Sequence, residues 1–591
     1  MGLEVAADGQ FAVAVNGSVS RVSADEVAGA DLAVQPRWVV WSQETGRALI
    51  GVGVRVATCW DVAAVHRLLF GGWRAEPGYV WACLHGEAPE SVAAASGEPD
   101  LFSVGMDGGE VPGLGAAEAV AAAEMQLAAL MEQGGAALVN TGLVNTGLVS
   151  TGRVSIARAE STAELLCAEL AADGLPVGLA AAEELLGEII GERPRGGADA
   201  AAIRAERDAR VLRHAPDGVA CDLRSPLQVK ALLAAAGIDV PDTRAHRLEA
   251  FRDSSPLVAA LLEWRKAERF ATTYGYGWLD ENVGADGRLR GAWTGCDGAA
   301  GRMTASSGLH NMPAALRRAV LAEEGHRFVR ADLGQIEPRV LAVVSGDAAL
   351  SAAAAADDMY LPVAAELGVD RPTAKVAMLA AMYGQTTGHG GAAARRMRTA
   401  YPVAMGYLDA ADRSARAGQD LRTYGGRLLR MSGGSLSAAP EGARGRYGRN
   451  AVIQGAAAEL FKMWAVTVRA RTAPLDARIV LCLHDELLLH VPAGHAEQAA
   501  AQVGACLTEV TGRWAPGTRV RFIADIAAIG CWADAKGGRP PMRGAKRLTS
   551  TRRDEFTGSA ANPHFAGRGP RARAPGGLVR WPEKNRGREG P

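Results

Sequence analysis

Two short apolar stretches, each interrupted by carboxylates, constrain this chain more than any other feature. The first reads Phe328-Val329-Arg330-Ala331-Asp332-Leu333-Gly334-Gln335-Ile336-Glu337. The second reads Ile479-Val480-Leu481-Cys482-Leu483-His484-Asp485-Glu486-Leu487-Leu488-Leu489. Both have the apolar content and length of strands. Asp332 ends the first run. Asp485 sits where a strand over residues 478–483 turns into another over 486–491. A hairpin laid beside the first strand would bring Asp332 and Asp485 to one sheet edge. A lone aspartate at a strand end is more often a turn cap. Two that meet can bridge a pair of divalent cations about 3.5–4 Å apart.

Between them, Asp370-Arg371-Pro372-Thr373-Ala374-Lys375 runs on to Met382-Tyr383-Gly384. Arg371, Lys375, Leu379 and Tyr383 recur every fourth residue. Each step drifts about 40° on an α-helix, so the four share one broad face. Asp370 is a candidate N-cap and Pro372 fits a first turn. Cations at a helix N-terminus suit a triphosphate, and the apolar, aromatic end suits a base pair. Taken alone, the same pattern describes an amphipathic helix with a solvated basic end.

In this order, the three elements resemble motifs A, B and C of the family A (DNA polymerase I-like) DNA polymerases, of the bifunctional exonuclease/polymerase type. The resemblance implies an α+β multidomain fold. A polymerase right hand, with an antiparallel palm sheet and helical fingers and thumb, would follow a small α/β, RNase H-like exonuclease domain. It implies two Mg2+ ions, or Mn2+ in their place, held by Asp332 and Asp485. Catalytic roles fall to Asp332, Asp485, Glu486 and Lys375, with Glu486 either touching a metal through water or only shaping the site. Contacts to the incoming dNTP fall to Gln335, Glu337, Arg371, Lys375, Leu379, Tyr383 and His484. Glu337 would exclude a 2′-hydroxyl, paired with Tyr383. Primer-template contacts fall to Arg302 and Asn311, to Arg427 in Thr423-Tyr424-Gly425-Gly426-Arg427, and to Arg446, Asn450 and Gln454. Arg339 also matches. Gly334, Pro338, Leu379, Ala380 and Ala300 depart from the family pattern. At position 379 the family carries Phe or Tyr.

The likeness begins in a thumb-like segment at Leu223-Arg224-Ser225-Pro226 and runs to Trp532-Ala533-Asp534-Ala535-Lys536. Three regions are expected: an exonuclease-like domain over 1–157, a polymerase domain over 158–538 and a basic, disordered tail over 539–591. In the first, residues 37–41 and 51–56 read as strands and 60–70 as a helix. An Asn-Thr-Gly-Leu-Val repeat from Asn140, degrading through Ser150-Thr151-Gly152-Arg153-Val154, reads as a linker. The exonuclease chemistry of the family starts from an Asp-x-Glu, and residues 1–220 contain none. That domain is therefore expected to be inactive.

Composition adds little to this. The formal net charge is −1, but the tail after Gly538 carries thirteen Lys or Arg against four Asp or Glu. A DNA-binding cleft needs only local positive charge. The 8 cysteines are scattered without a CxxC pair, so neither a zinc site nor a disulfide framework is expected. No signal peptide or membrane span is legible. A monomeric, cytoplasmic, nucleoid-associated protein of bacterial type is expected. Two alternatives stay open: a single-subunit RNA polymerase-like enzyme, and a DNA-binding polymerase relative without catalysis.

Overall fold

The computed structural model describes residues 1–6, 9–87, 114–136, 150–217, 219–297, 299–384, 389–431, 436 and 439–536. The first two copies of the repeat (140–149) and the basic tail lie outside the described residues. Residues 1–537 form one compact unit.

The chain opens with strands β1 (Gly2–Val5), β2 (Phe11–Val15) and β3 (Ser18–Val22), paired antiparallel. Strands β4 (Trp38–Val40) and β5 (Cys59–Asp61) then add parallel to β1, giving the order β3-β2-β1-β4-β5. The strand expected over 37–41 is β4. The one expected over 51–56 is absent. Ser42 caps helix α1 (Gln43–Gly51), and Gly53, at φ 85°, turns the chain into a loop. Val54 and Val56 are buried in that loop, so their alternation reports core contact without a ladder. Asp61 caps helix α2 (Val62–Phe70) through the Ala64 N–H at 2.8 Å.

Helices α3 (Ala116–Ala136) and α4 (Ser150–Asp173) complete this region. The start of α4 corrects the linker reading of residues 150–154. Gly152 lies in the first turn, where no intrahelical partner is required of its N–H. It also places the expected 157/158 limit inside a helix. The physical reason is burial on all sides: α4 packs against α1, α2 and β5, and also against the long helix of the second half. Among the described side chains of α4 only Arg158 and Ala172 are exposed.

The thumb-like helices α5 (Pro226–Ala235) and α6 (Pro256–Thr273) begin as their sequences suggest. Ser225 and Ser255 cap them from just before a first-turn proline. They share their own apolar cluster, which includes Val229, Leu232, Leu233, Leu257 and Leu261.

The second half is built on strand β6 (His326–Leu333), helices α7 (Ile336–Ser345), α8 (Arg371–Tyr383) and α9 (Glu441–Thr472), strands β7 (Arg478–Leu483) and β8 (Glu486–Pro492), helix α10 (Ala496–Trp514) and strand β9 (Ala524–Ile529). The strands form one antiparallel sheet, β7-β8-β6-β9. Helix α10 packs on it and on α9, which is why β7 and β8 read as nearly unbroken apolar runs. Among the described residues, one helix (Glu441–Leu475) is long and apolar enough to cross a membrane, and its apolar window is 83% buried inside the molecule. It is the core helix α9.

Candidate active site

The ladder fixes the site. On β6, Asp332 lies opposite Glu486 of β8 and opposite Asp525 of β9. Residues directly opposite in a sheet share a face, so three carboxylates meet there. His484 and Asp485 form the two-residue loop between β7 and β8. His484 takes φ 56°, the left-handed conformation that such tight loops favour. The Leu333 N–H donates to the Asp485 carbonyl at 2.9 Å and ties the loop to β6. The hairpin thus brings Asp332 and Asp485 together as the sequence suggested. Burial pushes the Asp485 carboxyl up to about 7, and the charge of Asp332 adds to the shift. Acids crowded to this degree fit a site for divalent cations.

The sequence reading missed the cation at the centre. Arg330 donates through Nε to Glu486 Oε1 at 3.0 Å, through Nη1 to Asp525 Oδ2 at 2.9 Å and through Nη2 to Asp332 Oδ2. Burial opposes its charge, but Glu486 and Asp332 outweigh that, so its pKa is raised. A signal existed: Arg330 interrupts an apolar run two residues before Asp332, and strand periodicity puts both on one face. Asp525 carried no signal, because its place depends on a register that only the fold supplies.

Glu486 is held in place by its neighbours. It is buried and also accepts from Trp532 Nε1 at 2.6 Å. One oxygen thereby serves both Arg330 and Trp532. Its Oε2 takes no part in these two bonds and lies 3.8 Å from Arg317 Nη1.

Two tethers bring α8 to this sheet end. At its C-terminal end the Tyr383 hydroxyl donates to Glu337 Oε2 at 2.9 Å. Burial raises the Glu337 pKa despite that bond, and burial with the adjacent Glu337 charge raises that of Tyr383. At its N-terminal end Arg371 pairs with Asp358, whose other oxygen accepts from Gln335 Nε2 at 2.7 Å. Asp358 was not anticipated, and nothing local in the sequence marks it. Gln335 itself is occupied, since its Oε1 also accepts from the Met359 N–H at 3.0 Å. Asp370 caps α8 as expected, through the Thr373 N–H at 2.9 Å. Lys375 is exposed, Leu379 and Tyr383 are half-buried, and Ala374, Ala377, Met378 and Ala381 form the buried face. Arg339 is fully buried and donates to the carbonyls of Gly334, Ala354, Ala356 and Asp357, so it holds the backbone around the site.

The expected DNA contacts divide. Arg302, Asn311 and Arg446 are exposed, Gln454 is half-buried and Asn450 is buried. His484 is exposed, and its ring meets that of His310 edge-on at 5.8 Å. Arg427 is a correction. It is 2% exposed and ion-paired with Glu160 of α4, so it cannot reach a template. A Cβ on Gly301 would fall 2.2 Å from its Nε. The guanidinium therefore lies under the Gly301-Arg302 loop and supports it from below.

A second grouping, Glu323, His326 and His490, has the spacing of metal ligands. It sits at the far end of β6 from Asp332. Arg288 already pairs with Glu323 at 2.7 Å, and the Glu323 N–H donates to His490 Nε2 at 3.3 Å.

Comparison with known proteins gives the family. Residues 205–532 match DNA polymerase family A, and the chain belongs to that family. It is 32% identical over 286 residues to DNA polymerase I of Chloroflexus aurantiacus, covering 43% of this chain and 30% of that one. It is 30% identical over 289 residues to the thermostable DNA polymerase I of Thermus filiformis, covering 43% and 34%. The chain therefore matches about a third of the length of these relatives. Its fold resembles the polymerase domain of Pol1 from M. smegmatis, solved with DNA primer-template and dNTP. The TM-score is 0.64 at 22% identity, over 89% of this chain and 93% of that one.

Proposed function

We propose that this protein is a template-directed DNA polymerase that adds dNTPs to a primer 3′-hydroxyl. The observation that carries the reading is the meeting of Asp332 and Asp485 at one sheet end, with α8 tethered beside it. Bound there, two divalent cations, Mg2+ or Mn2+, would activate the 3′-hydroxyl and neutralise the pyrophosphate leaving group. Asp332 and Asp485 hold them. Lys375, exposed on α8, meets the triphosphate as a mobile point charge. Glu337, fixed by Tyr383, fills the space that a 2′-hydroxyl would need, which favours dNTP over rNTP. His484 and Arg302 line the approach of the primer end. Arg446 and Gln454 present one face of α9 to the duplex, with the buried Asn450 between them and Asn311 beside the Arg302 loop.

We further propose that the N-terminal unit does not proofread. The first strand begins Gly2-Leu3-Glu4 with no aspartate, and a Cβ on Gly2 would lie 2.1 Å from the Ala116 carbonyl of α3. A carboxylate at that position has no room. All eight cysteines are free, which supports a reducing, cytoplasmic setting, with the enzyme acting as a monomer on nucleoid DNA.

Primer extension on one template tests these points together. With Mg2+, a matched 3′ end should be extended with dNTPs and poorly with rNTPs, and a mismatched end should be neither trimmed nor readily extended. Efficient rNTP use would favour the RNA polymerase alternative. Duplex binding without any extension would favour a non-catalytic relative.

A further inference from the structure

Arg330 is placed as no ordinary surface cation would be. It is buried on β6, and it donates one hydrogen bond to a carboxylate on each of three strands: Asp332 on β6, Glu486 on β8 and Asp525 on β9. The three acceptors differ in freedom. Glu486 is buried and pinned by Trp532. The Asp332 side chain is 35% exposed, and that of Asp525 is 74% exposed. The guanidinium therefore has a fixed end at Glu486 and two alternatives at its outer end.

We infer that Arg330 is an internal counter-ion for Asp332: it holds this carboxylate in place in the metal-free protein and competes with a divalent cation for it. The inference rests on the proposal that Asp332 and Asp485 form a metal site. Asp332 Oδ2 accepts from Arg330 Nη2. A cation that takes that oxygen must displace the guanidinium. Arg330 need not leave its pocket to yield, because Nε stays on Glu486 and Nη1 on Asp525. The planar fork of arginine allows this division of bonds, and a lysine could not make it. Without Arg330, Asp332, Glu486, Asp525 and Asp485 would repel one another at close range. Arg330 thus preserves the site's geometry in the absence of metal, and the cost is weaker metal binding. It is a positioning residue, acting through Asp332.

Titration of the full-length, chelator-stripped protein with Mn2+ tests this, with free Mn2+ followed by electron paramagnetic resonance and no DNA or nucleotide present. Arg330→Gln keeps a donor for Glu486 and removes the competing charge. It should bind Mn2+ about tenfold more tightly, the scale of one charge-assisted hydrogen bond. Asp525→Asn withdraws the outer partner and leaves the guanidinium to Asp332. It should bind Mn2+ about threefold more weakly on the same scale. Asp332→Asn should lose the site. If wild type and Asp332→Asn bind Mn2+ alike, the metal-site reading itself fails. If Asp332→Asn loses binding while Arg330→Gln binds no more tightly than wild type, the counter-ion inference alone fails. Should Arg330→Gln not fold, the exposed Asp525→Asn decides, and unchanged or tighter binding overturns the inference.

Discussion

Two clusters of charge are built into this molecule on opposite plans. Around Glu160, one carboxylate is shared by two cations, Arg427 and Lys462, and Lys462 Nζ also donates to the Gly295 carbonyl at 2.9 Å. All three side chains are sealed from solvent. Around Asp332, one cation is shared by three carboxylates, with Asp485 next to them, and two members open to solvent. The sealed cluster joins α4 to α9 and to the loops bearing Arg427 and Gly295. The open one leaves an excess of negative charge at a solvent edge. Buried charge that is paired serves architecture, and the acidic surplus at the opening is the feature on which the proposed cation site rests.

The sharpest way to break the contrast is to remove the open cluster's acids. Asp332→Ala and Asp485→Ala should each lower primer extension by at least about a thousandfold, the scale of losing transition-state charge stabilisation. Duplex binding, measured by fluorescence anisotropy, should stay within a factor of a few, because the expected contacts lie on α9 and the Arg302 loop. Thermal stability should not fall. Near wild-type extension by either variant would show that the sheet end is not the reaction centre.

Glu160→Ala should do the reverse. It strands Arg427 and Lys462 in the interior, a change that costs about 3–5 kcal/mol when one partner of a buried pair is removed. Chemical denaturation should register that loss, while Mn2+ binding by the folded fraction stays at the wild-type level. Unchanged stability would mean that α4 is not anchored through this cluster.

The contrast also shows where sequence reading succeeds. Asp332, Asp485 and the α8 stripe were legible because each depends on local periodicity: strand, tight loop, helix. The Tyr383–Glu337 bond was legible because the resemblance supplied it. Arg427 misled for the opposite reason. Its loop matches the family pattern, but a carboxylate on α4 captures its side chain, and α4 is remote in sequence. Asp358 and Asp525 act only through cross-strand or inter-element register, which local spacing does not encode, whereas the i, i+2 spacing of Arg330 and Asp332 is local. The expected limit at residue 157 falls inside α4 for the same reason, since α4 packs against both α1 and α9.

Glu459 sharpens the picture of the sealed cluster by pH. It accepts from Thr423 Oγ1 and from the Gly425 N–H, and burial pushes its carboxyl from 4.5 up to about 7. The raised value means that the folded state favours the neutral acid. Its stabilising contribution is therefore full below the unfolded pKa and is lost as pH rises through about 7. Glu459→Gln cannot ionise and should escape that loss. Between pH 5 and 8 its stability relative to wild type should improve by about 2–3 kcal/mol in urea denaturation. A constant difference across that range would show that Glu459 is ionised throughout, neutralised by Arg427.

The smallest effect concerns the nucleotide side of the open cluster. Leu379 is half-buried on α8, one turn from Tyr383 and one from Lys375. On the proposed function its face meets the base and sugar of an incoming nucleotide, whereas the adjacent Ala380 is buried. A leucine offers apolar contact without a flat ring. Aromatic stacking adds about 0.5–1.5 kcal/mol, so Leu379→Phe should lower the KM for dNTPs roughly three- to tenfold. The change should fall on KM and leave kcat near the wild-type value, because Asp332, Asp485 and Arg330 are untouched. Mn2+ binding without nucleotide should be unaltered for the same reason. Leu379→Tyr should in addition ease dideoxynucleotide incorporation, if the small Ala380 beside it leaves space for the ring. Unchanged KM and dideoxy selectivity in both variants would turn Leu379 away from the nucleotide. The face of α8 tethered by Tyr383 would then belong to the architecture of the fingers, and the reach of the open cluster would end at Glu337.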